Sequence, residues 1–372
     1  MVRVSLGMIT ALAASSMTGL SLAHPGENVH ASHIKREVGN LIEANYHAKR
    51  ALDGCQGGIQ SRALMARAHE RRAKIVADLR RKRGITNKPQ KYRRDLATLQ
   101  EFETINHNMT GLVSYTAETD PSVIFAGNTT CLLAPDITDG PYYVIGENIR
   151  SNLLEDGSVT AGVPMYVEAQ YVDVNTCLPV PQVAVDYWSC NATGVYSGVV
   201  DAGMAGLNTS FLRGIQITDE DGVVGFEIIF PGHYSGRAIH SHLTSHNNVT
   251  VLPNNTITGG RVSHIGQLFY PDDLRADVEA NYPYNTNTVA LTTNDEDQWA
   301  PVQTDTYYDP FVDFVYLGSD ITDGLFVWKQ IAINTTVDYT DDDNYKIASI
   351  WTANGGVENT DPDTMFVGGG GA

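Results

Sequence analysis

Past its first two dozen residues the chain has no apolar run of the length a membrane-spanning helix needs, and it carries no internal repeat. Basic charge is scarce, with 25 Lys and Arg against 43 Asp and Glu for a net charge of −18. It is also unevenly placed. Residues 24–95 hold 17 Lys/Arg and 7 Asp/Glu, whereas residues 96–372 hold 7 and 36. The first module is therefore basic and the second strongly acidic, and the acidic remainder argues against nucleic acid as a partner. Only four cysteines occur, Cys55, Cys131, Cys177 and Cys190, an even number compatible with two disulfides. Three pairings are possible. Cys177 and Cys190 end successive strand-like runs and would lie at opposite ends of an antiparallel pair, which favours Cys131 with Cys190 and Cys55 with Cys177.

Residues 1–23 carry one Arg3, a short Ser/Thr-broken apolar middle and a small-x-small end at Ser21 and Ala23, the pattern of a secretory signal. Seven N-x-S/T sequons, at Asn108, Asn128, Asn191, Asn208, Asn248, Asn254 and Asn334, agree with a secreted, extracellular glycoprotein. The basic stretch, 24–105, reads as a helical extension. Ile34, Val38, Leu41, Ala48, Leu52 and Cys55 keep a three-four spacing, residues 56–58 break it, and 61–83 resume it as a helical hairpin against the acidic module. The run Arg80 to Arg83 reads either as a processing site or as a basic helix end.

From Cys131 the texture changes to short runs rich in Val, Tyr and Ala with turn residues between them: 165–174, 183–190, 222–230, 237–244, 266–270 and 324–334. The expected fold is mainly β, an antiparallel β-sandwich catalytic domain over 106–345 with the N-terminal helical extension before it. A Gly/Asp-rich flexible tail is expected over 346–372.

Tyr234, Arg237, His240 and His242 fall within nine positions of the segment PGHYSGRAIHSH. On a strand, His240 and His242 share a face about 7 Å apart, a spacing that suits two ligands of one metal. Taken alone, an H-x-H pair more often marks two polar surface groups. Tyr234 precedes a Ser-Gly turn that can fold its phenol back toward both rings, and phenolate with imidazole favours ferric iron. A second segment, DYWSCNATGVYS, supplies Tyr196 after another glycine turn.

These two segments, with CLLAPDITDGPYYV at 131–144, FLRG at 211–214 and HIGQLFY at 264–270, resemble the intradiol ring-cleavage dioxygenases over roughly 128–335. The likeness extends to the secreted fungal branch with its N-terminal helical extension. It implies Tyr196, Tyr234, His240 and His242 as ligands of a non-haem Fe(III), with Tyr234 the one that leaves as substrate binds. It further implies Arg237 as the active-site arginine, Gln267 as a hydrogen-bonding group, Trp188 as a supporting aromatic, and Tyr142 or Tyr143 as pocket lining. The substrates would be a small aromatic diol and O2, and the product a muconate-type diacid. The oligomeric state is open, with a homodimer one option.

The charge of the catalytic module disfavours anionic aromatics, so catechol, alkylcatechols or hydroxyquinol are expected over protocatechuate. Two other readings stand beside this one: a non-catalytic secreted β-sandwich binding protein, and a copper-dependent polysaccharide monooxygenase using His24 as mature N-terminus.

Overall fold

The computed structural model describes residues 48, 50–55, 57–86, 131–132, 140–155, 158–297, 299–300, 309–342 and 345–360. The signal-like segment, His24, Ile34 to Leu41, the sequons at Asn108 and Asn128 and the last twelve residues lie outside it. None of its helices is long and apolar enough to cross a membrane.

Two sheets face each other. The larger joins β1 (Cys131–Leu132), β3 (Pro164–Asp173), β6 (Val223–Ile229), β11 (Asp313–Tyr316) and β12 (Leu325–Ile333), with β12 at its centre. The smaller runs in the order β10 (Arg261–Phe269), β7 (His240–Asn247), β4 (Ala184–Trp188), β5 (Arg213–Ile217). The antiparallel expectation holds throughout the smaller sheet, whereas β12 runs parallel to both β3 and β1 in the larger. Alternation explains the core: Val167 and Phe226 from one sheet meet Tyr187, Leu243 and Leu268 from the other. Burying some thirty such side chains is the main favourable term of the fold.

The outer face of the larger sheet is covered by α1 (Ile59–Lys82), close to the helix expected over 61–83. Leu64, Ala68, Arg72 and Leu79 turn inward along one stripe. The charge asymmetry of the sequence becomes contact here. Arg71 and Arg72 both bind the buried Glu168, Arg67 pairs with Asp221, and Lys82 with Glu227. The run 80–83 ends this helix, with Arg83 donating to the Asp323 carbonyl.

Cys55 is joined to Cys177, as favoured. The companion pairing is corrected: Cys190 is a free, buried thiol donating to the Gly232 carbonyl, and burial raises its pKa to about 12. The reason lies in the sheets. Cys131 sits on β1 beside Ile331 in the larger sheet, while Cys190 follows β4 in the smaller. The same separation, and not the two ends of one ladder, keeps Cys177 from Cys190.

A third sheet covers the outer face of the smaller one. It consists of β2 (Tyr143–Ile145), β13 (Ile347–Thr352) and β14 (Gly355–Glu358), with β13 parallel to β2. The expected flexible tail is thereby corrected over 347–358. Ala353 and Asn354 form the β13–β14 turn, Gly355 and Gly356 open β14, and Ile347 and Ser349 are buried. The elements outside the runs read from sequence include β5, β11, the hairpin of β8 (Thr250–Val251) with β9 (Ile257–Thr258), and α2 (Asp272–Glu279).

Candidate active site

Side-chain alternation on the smaller sheet decides which residues meet. Leu243 of β7, Tyr187 of β4 and Leu268 of β10 point into the core, so His240, His242 and His246, Asp186 and Trp188, and Gln267 turn to the opposite face. The register then lines them up, for Trp188 lies opposite His242 and His242 opposite Gln267. Trp188 and His242 stack at 4.7 Å with an interplanar angle of 5°.

Two loops bring in the phenols. After β4 the chain turns at Gly194, whose φ of 80° lies in the left-handed region and whose missing Cβ would stand 2.2 Å from the His233 carbonyl. That turn delivers Tyr196. Asn191 fixes it, accepting from Thr193 N and Oγ1 and from Val195 N with its carboxamide oxygen. The loop before β7 delivers Tyr234 through a turn at Gly236. His233 secures that loop, its ring nitrogens 2.8 Å from Glu279 Oε1 and 2.9 Å from the Val289 carbonyl.

The four side chains converge. His240 Nε2 is 3.1 Å from Tyr234 Oη and 3.0 Å from His242 Nε2, and the Tyr196 and Tyr234 rings stand edge-on with centroids 5.6 Å apart. Because His240 Nδ1 donates to the Ala238 carbonyl at 2.7 Å, the neutral ring presents the Nε2 lone pair to the cluster. Tyr196 Oη is buried with no hydrogen-bond partner in the described structure. Converging lone pairs and an orphaned phenol fit a cation that accepts N and O ligands. Burial pushes both phenols well above their ordinary pKa, so a bound cation would have to supply the energy that ionises them. Among the described residues no group of three or more His, Cys, Asp or Glu could hold a metal, and any metal here depends on the tyrosines.

Arg237 and Gln267 are brought together: Arg237 Nη2 donates to Gln267 Oε1 at 2.6 Å. Both are fully buried. Arg237 does pair with a carboxylate, but a buried one, Asp297, at 2.8 Å. Tyr142 packs on Tyr196 with centroids 4.9 Å apart. Tyr143 is corrected as a pocket residue: its hydroxyl is committed to Asp186 Oδ2 at 3.1 Å and to His246 Nε2 at 3.2 Å, on the other side of Trp188. Tyr142 and Tyr143 are chain neighbours entering β2 and cannot face the same way.

The sequence reading missed Asp297 and Arg213. Asp297 sits in an acidic surface-like run, NDEDQW, that gives no sign of burial. Arg213 was visible in FLRG but had no role. It grips the Ser197 carbonyl through Nε and Nη2 and lies 5.9 Å from the Tyr196 ring centroid, within cation–π range. A crevice lined by Val144, Glu147, Arg150, Ser210, Arg213 and Trp351 includes none of the four converging side chains.

The Dioxygenase family model matches residues 138–262, a span that takes in all four converging residues and stops before Gln267. Over 56% of this chain and 97% of the other, the sequence is 31% identical to an intradiol ring-cleavage dioxygenase from Tetranychus urticae, with a TM-score of 0.45. The dioxygenase domain of a dioxygenase carbohydrate-binding protein fusion from Streptomyces sp. SirexAA-E is 24% identical over 54% and 97% of the two chains, TM-score 0.34. Catechol 1,2-dioxygenase from Acinetobacter sp. ADP1 is 20% identical over 55% and 63%, TM-score 0.37. No curated protein matches.

Proposed function

The chain belongs to the intradiol ring-cleavage dioxygenase family, and from that premise we propose that it is a secreted, non-haem Fe(III) enzyme. It cleaves catechol-type rings between the two hydroxyl-bearing carbons and adds both atoms of O2 to give a cis,cis-muconate-type diacid. The reading is carried by the convergence of His240, His242 and Tyr234 around one point beside the orphaned hydroxyl of Tyr196. Tyr196, Tyr234, His240 and His242 would hold the iron. Bound there, ferric iron supplies a Lewis-acid centre that binds the catecholate and makes its ring reactive toward dioxygen.

The residues do the rest. Tyr234 is the least buried of the four and sits on a loop that turns at Gly236, so that, once ionised at a bound cation, its Oη would be placed to take a proton from an incoming catechol hydroxyl. Arg237, fully buried, stabilises the negative charge that builds on the ring and on the attacking oxygen, and does so more effectively in a dry site than in water. Gln267 holds the guanidinium from below through Nη2. Trp188 excludes water from one face of His242.

The decisive experiment is metal analysis with a visible spectrum of the purified protein, before and after anaerobic catechol, followed by turnover under isotopically labelled oxygen. One iron per chain, a tyrosinate-to-iron band that shifts on catechol, and two labelled oxygens in the diacid are expected. A protein that stays colourless when given ferric iron overturns the reading.

A further inference from the structure

Asp297 receives five donors. Its Oδ2 accepts from Arg237 Nε at 2.8 Å and from the Ala238 N–H at 2.7 Å, while Oδ1 accepts from the Trp299 and Ala300 N–H groups at 2.8 and 2.9 Å, with Arg237 Nη2 at 3.4 Å. Neither Arg237 nor Asp297 has solvent-exposed side-chain surface. Burial opposes the ionised form of Asp297, yet Arg237 and the backbone donors hold its carboxyl below the ordinary range, and the pair is ionic.

The support continues outward. Trp299, two residues on, is buried in a cluster with Leu52, Leu64, Val172, Cys177 and Ala332. Leu52 and Leu64 belong to the basic extension, and Cys177 carries its disulfide. Trp299 thus packs against both the extension and the larger sheet.

We propose that Asp297 is a positioning residue that fixes the Arg237 guanidinium at the cluster and cancels its charge, so that the site favours catechols without a ring carboxylate. This rests on the dioxygenase reading. An unpaired buried arginine would attract a carboxylate bound beside it, whereas the neutral Arg237–Asp297 pair offers no such attraction and leaves only the local dipole for charge that develops on the ring. The rigid carboxylate also removes the side-chain freedom that a long cation would otherwise lose on each turnover.

The test compares wild type with Asp297→Asn, on catechol and on a catechol bearing a ring carboxylate, and measures binding of phenol and 4-hydroxybenzoate by calorimetry. Wild type is expected to favour the neutral member of each pair. In Asp297→Asn the kcat/KM ratio and the binding ratio shift toward the anion by at least about tenfold. Because that variant removes the carboxylate that the buried Arg237 binds and threatens folding, Asp297→Glu serves beside it. It keeps the charge but displaces the guanidinium, and kcat should fall at least about tenfold with KM for catechol within about threefold. A wild type that cleaves neither catechol removes the dioxygenase reading and this inference together. A wild type that cleaves catechol while Asp297→Asn keeps both ratios within about threefold, or Asp297→Glu keeps its kcat, overturns the inference alone.

Discussion

The Trp188 indole lies flat on the His242 imidazole, 4.7 Å between centroids, and the Tyr143 ring packs at 4.8 Å on the same indole. Trp188 is therefore the wall between two buried polar groups, the converging Tyr/His cluster on one side and the Tyr143, Asp186 and His246 set on the other.

Removing that wall should be costly. Trp188→Ala opens a cavity among fully buried side chains and is expected to lower stability by about 3–5 kcal/mol, with iron per chain falling in parallel. Trp188→Phe keeps an aromatic face on His242 and should retain most of the iron with a smaller loss. Denaturant unfolding together with metal analysis checks both. An iron content unchanged in the alanine variant would show that the stack does not hold the imidazole.

Tyr196→Phe separates a functional hydroxyl from a structural one. Tyr196 Oη is buried and among the described residues makes no hydrogen bond of ordinary geometry, its interaction with the Tyr234 hydroxyl being a weak one, so deleting it from the metal-free protein should change stability by at most about 1 kcal/mol. Iron retention should be lost. Tyr187 is the control: its hydroxyl donates to Ser241 Oγ at 2.7 Å inside the core, and Tyr187→Phe should cost about 1–3 kcal/mol without a matching loss of iron. If Tyr196→Phe destabilises the metal-free protein as much as Tyr187→Phe does, the hydroxyl has a structural partner after all.

The second polar group sets an acid limb. Burial pushes the His246 imidazole down to about 4, so between pH 6.5 and 4 the unfolded chain takes up a proton that the folded one refuses. Stability is fully present above about pH 6.5 and falls as pH drops, by at most roughly 3 kcal/mol at pH 4. Asp186 and Glu147 act in the opposite sense: burial raises both carboxyls, so folding prefers their protonated forms and loses stability as pH rises above the unfolded carboxyl range. Between pH 6.5 and 4 the two effects oppose each other, so His246→Asn should remove the histidine's loss and leave stability rising, relative to wild type, as pH falls, and Asp186→Asn should stabilise the protein near pH 7. Urea unfolding across this range tests the pair of signs. An acid limb as steep in His246→Asn as in wild type refutes the assignment.

What could be read from sequence was what alternation and turn chemistry encode. His240 and His242 two apart, Tyr234 and Tyr196 each behind a glycine turn, and Trp188 two residues from Asp186 place themselves once β7 and β4 are recognised. Their rings converge more tightly than the strand repeat suggests, because His240 is tethered back to the Ala238 carbonyl. What stayed hidden depends on contacts across long loops. Asp297 is buried among Arg237 and three N–H groups, and β13 joins the body of the protein because β2 offers it an edge. The parallel pairing of β3 with β12 joins residues about 160 positions apart and leaves no local mark.

The ion pairs that dock α1 differ in environment more than in geometry, which makes them a controlled comparison. Glu168 is 1% exposed and receives Arg71 Nε at 3.0 Å and Arg72 Nε at 2.7 Å, with Arg72 itself 2% exposed over the Trp328 ring. Asp221 receives Arg67 at 2.7 Å, an equally short contact, and Arg71 Nη1 at 3.6 Å, but Arg67 is 51% and Asp221 25% exposed. Coulomb attraction alone would rank the two alike; solvent does not. Glu168→Gln strands a buried guanidinium and should cost about 3–5 kcal/mol, nearly independent of salt. Asp221→Asn removes a hydrated, screened pair and should cost at most about 1 kcal/mol, a difference that fades in high salt. Unfolding free energies of both variants at low and high salt decide it. A Glu168→Gln cost near that of Asp221→Asn would mean that α1 is held by its apolar stripe and the Cys55–Cys177 link, and that the charge asymmetry of the chain contributes little to holding the two modules together.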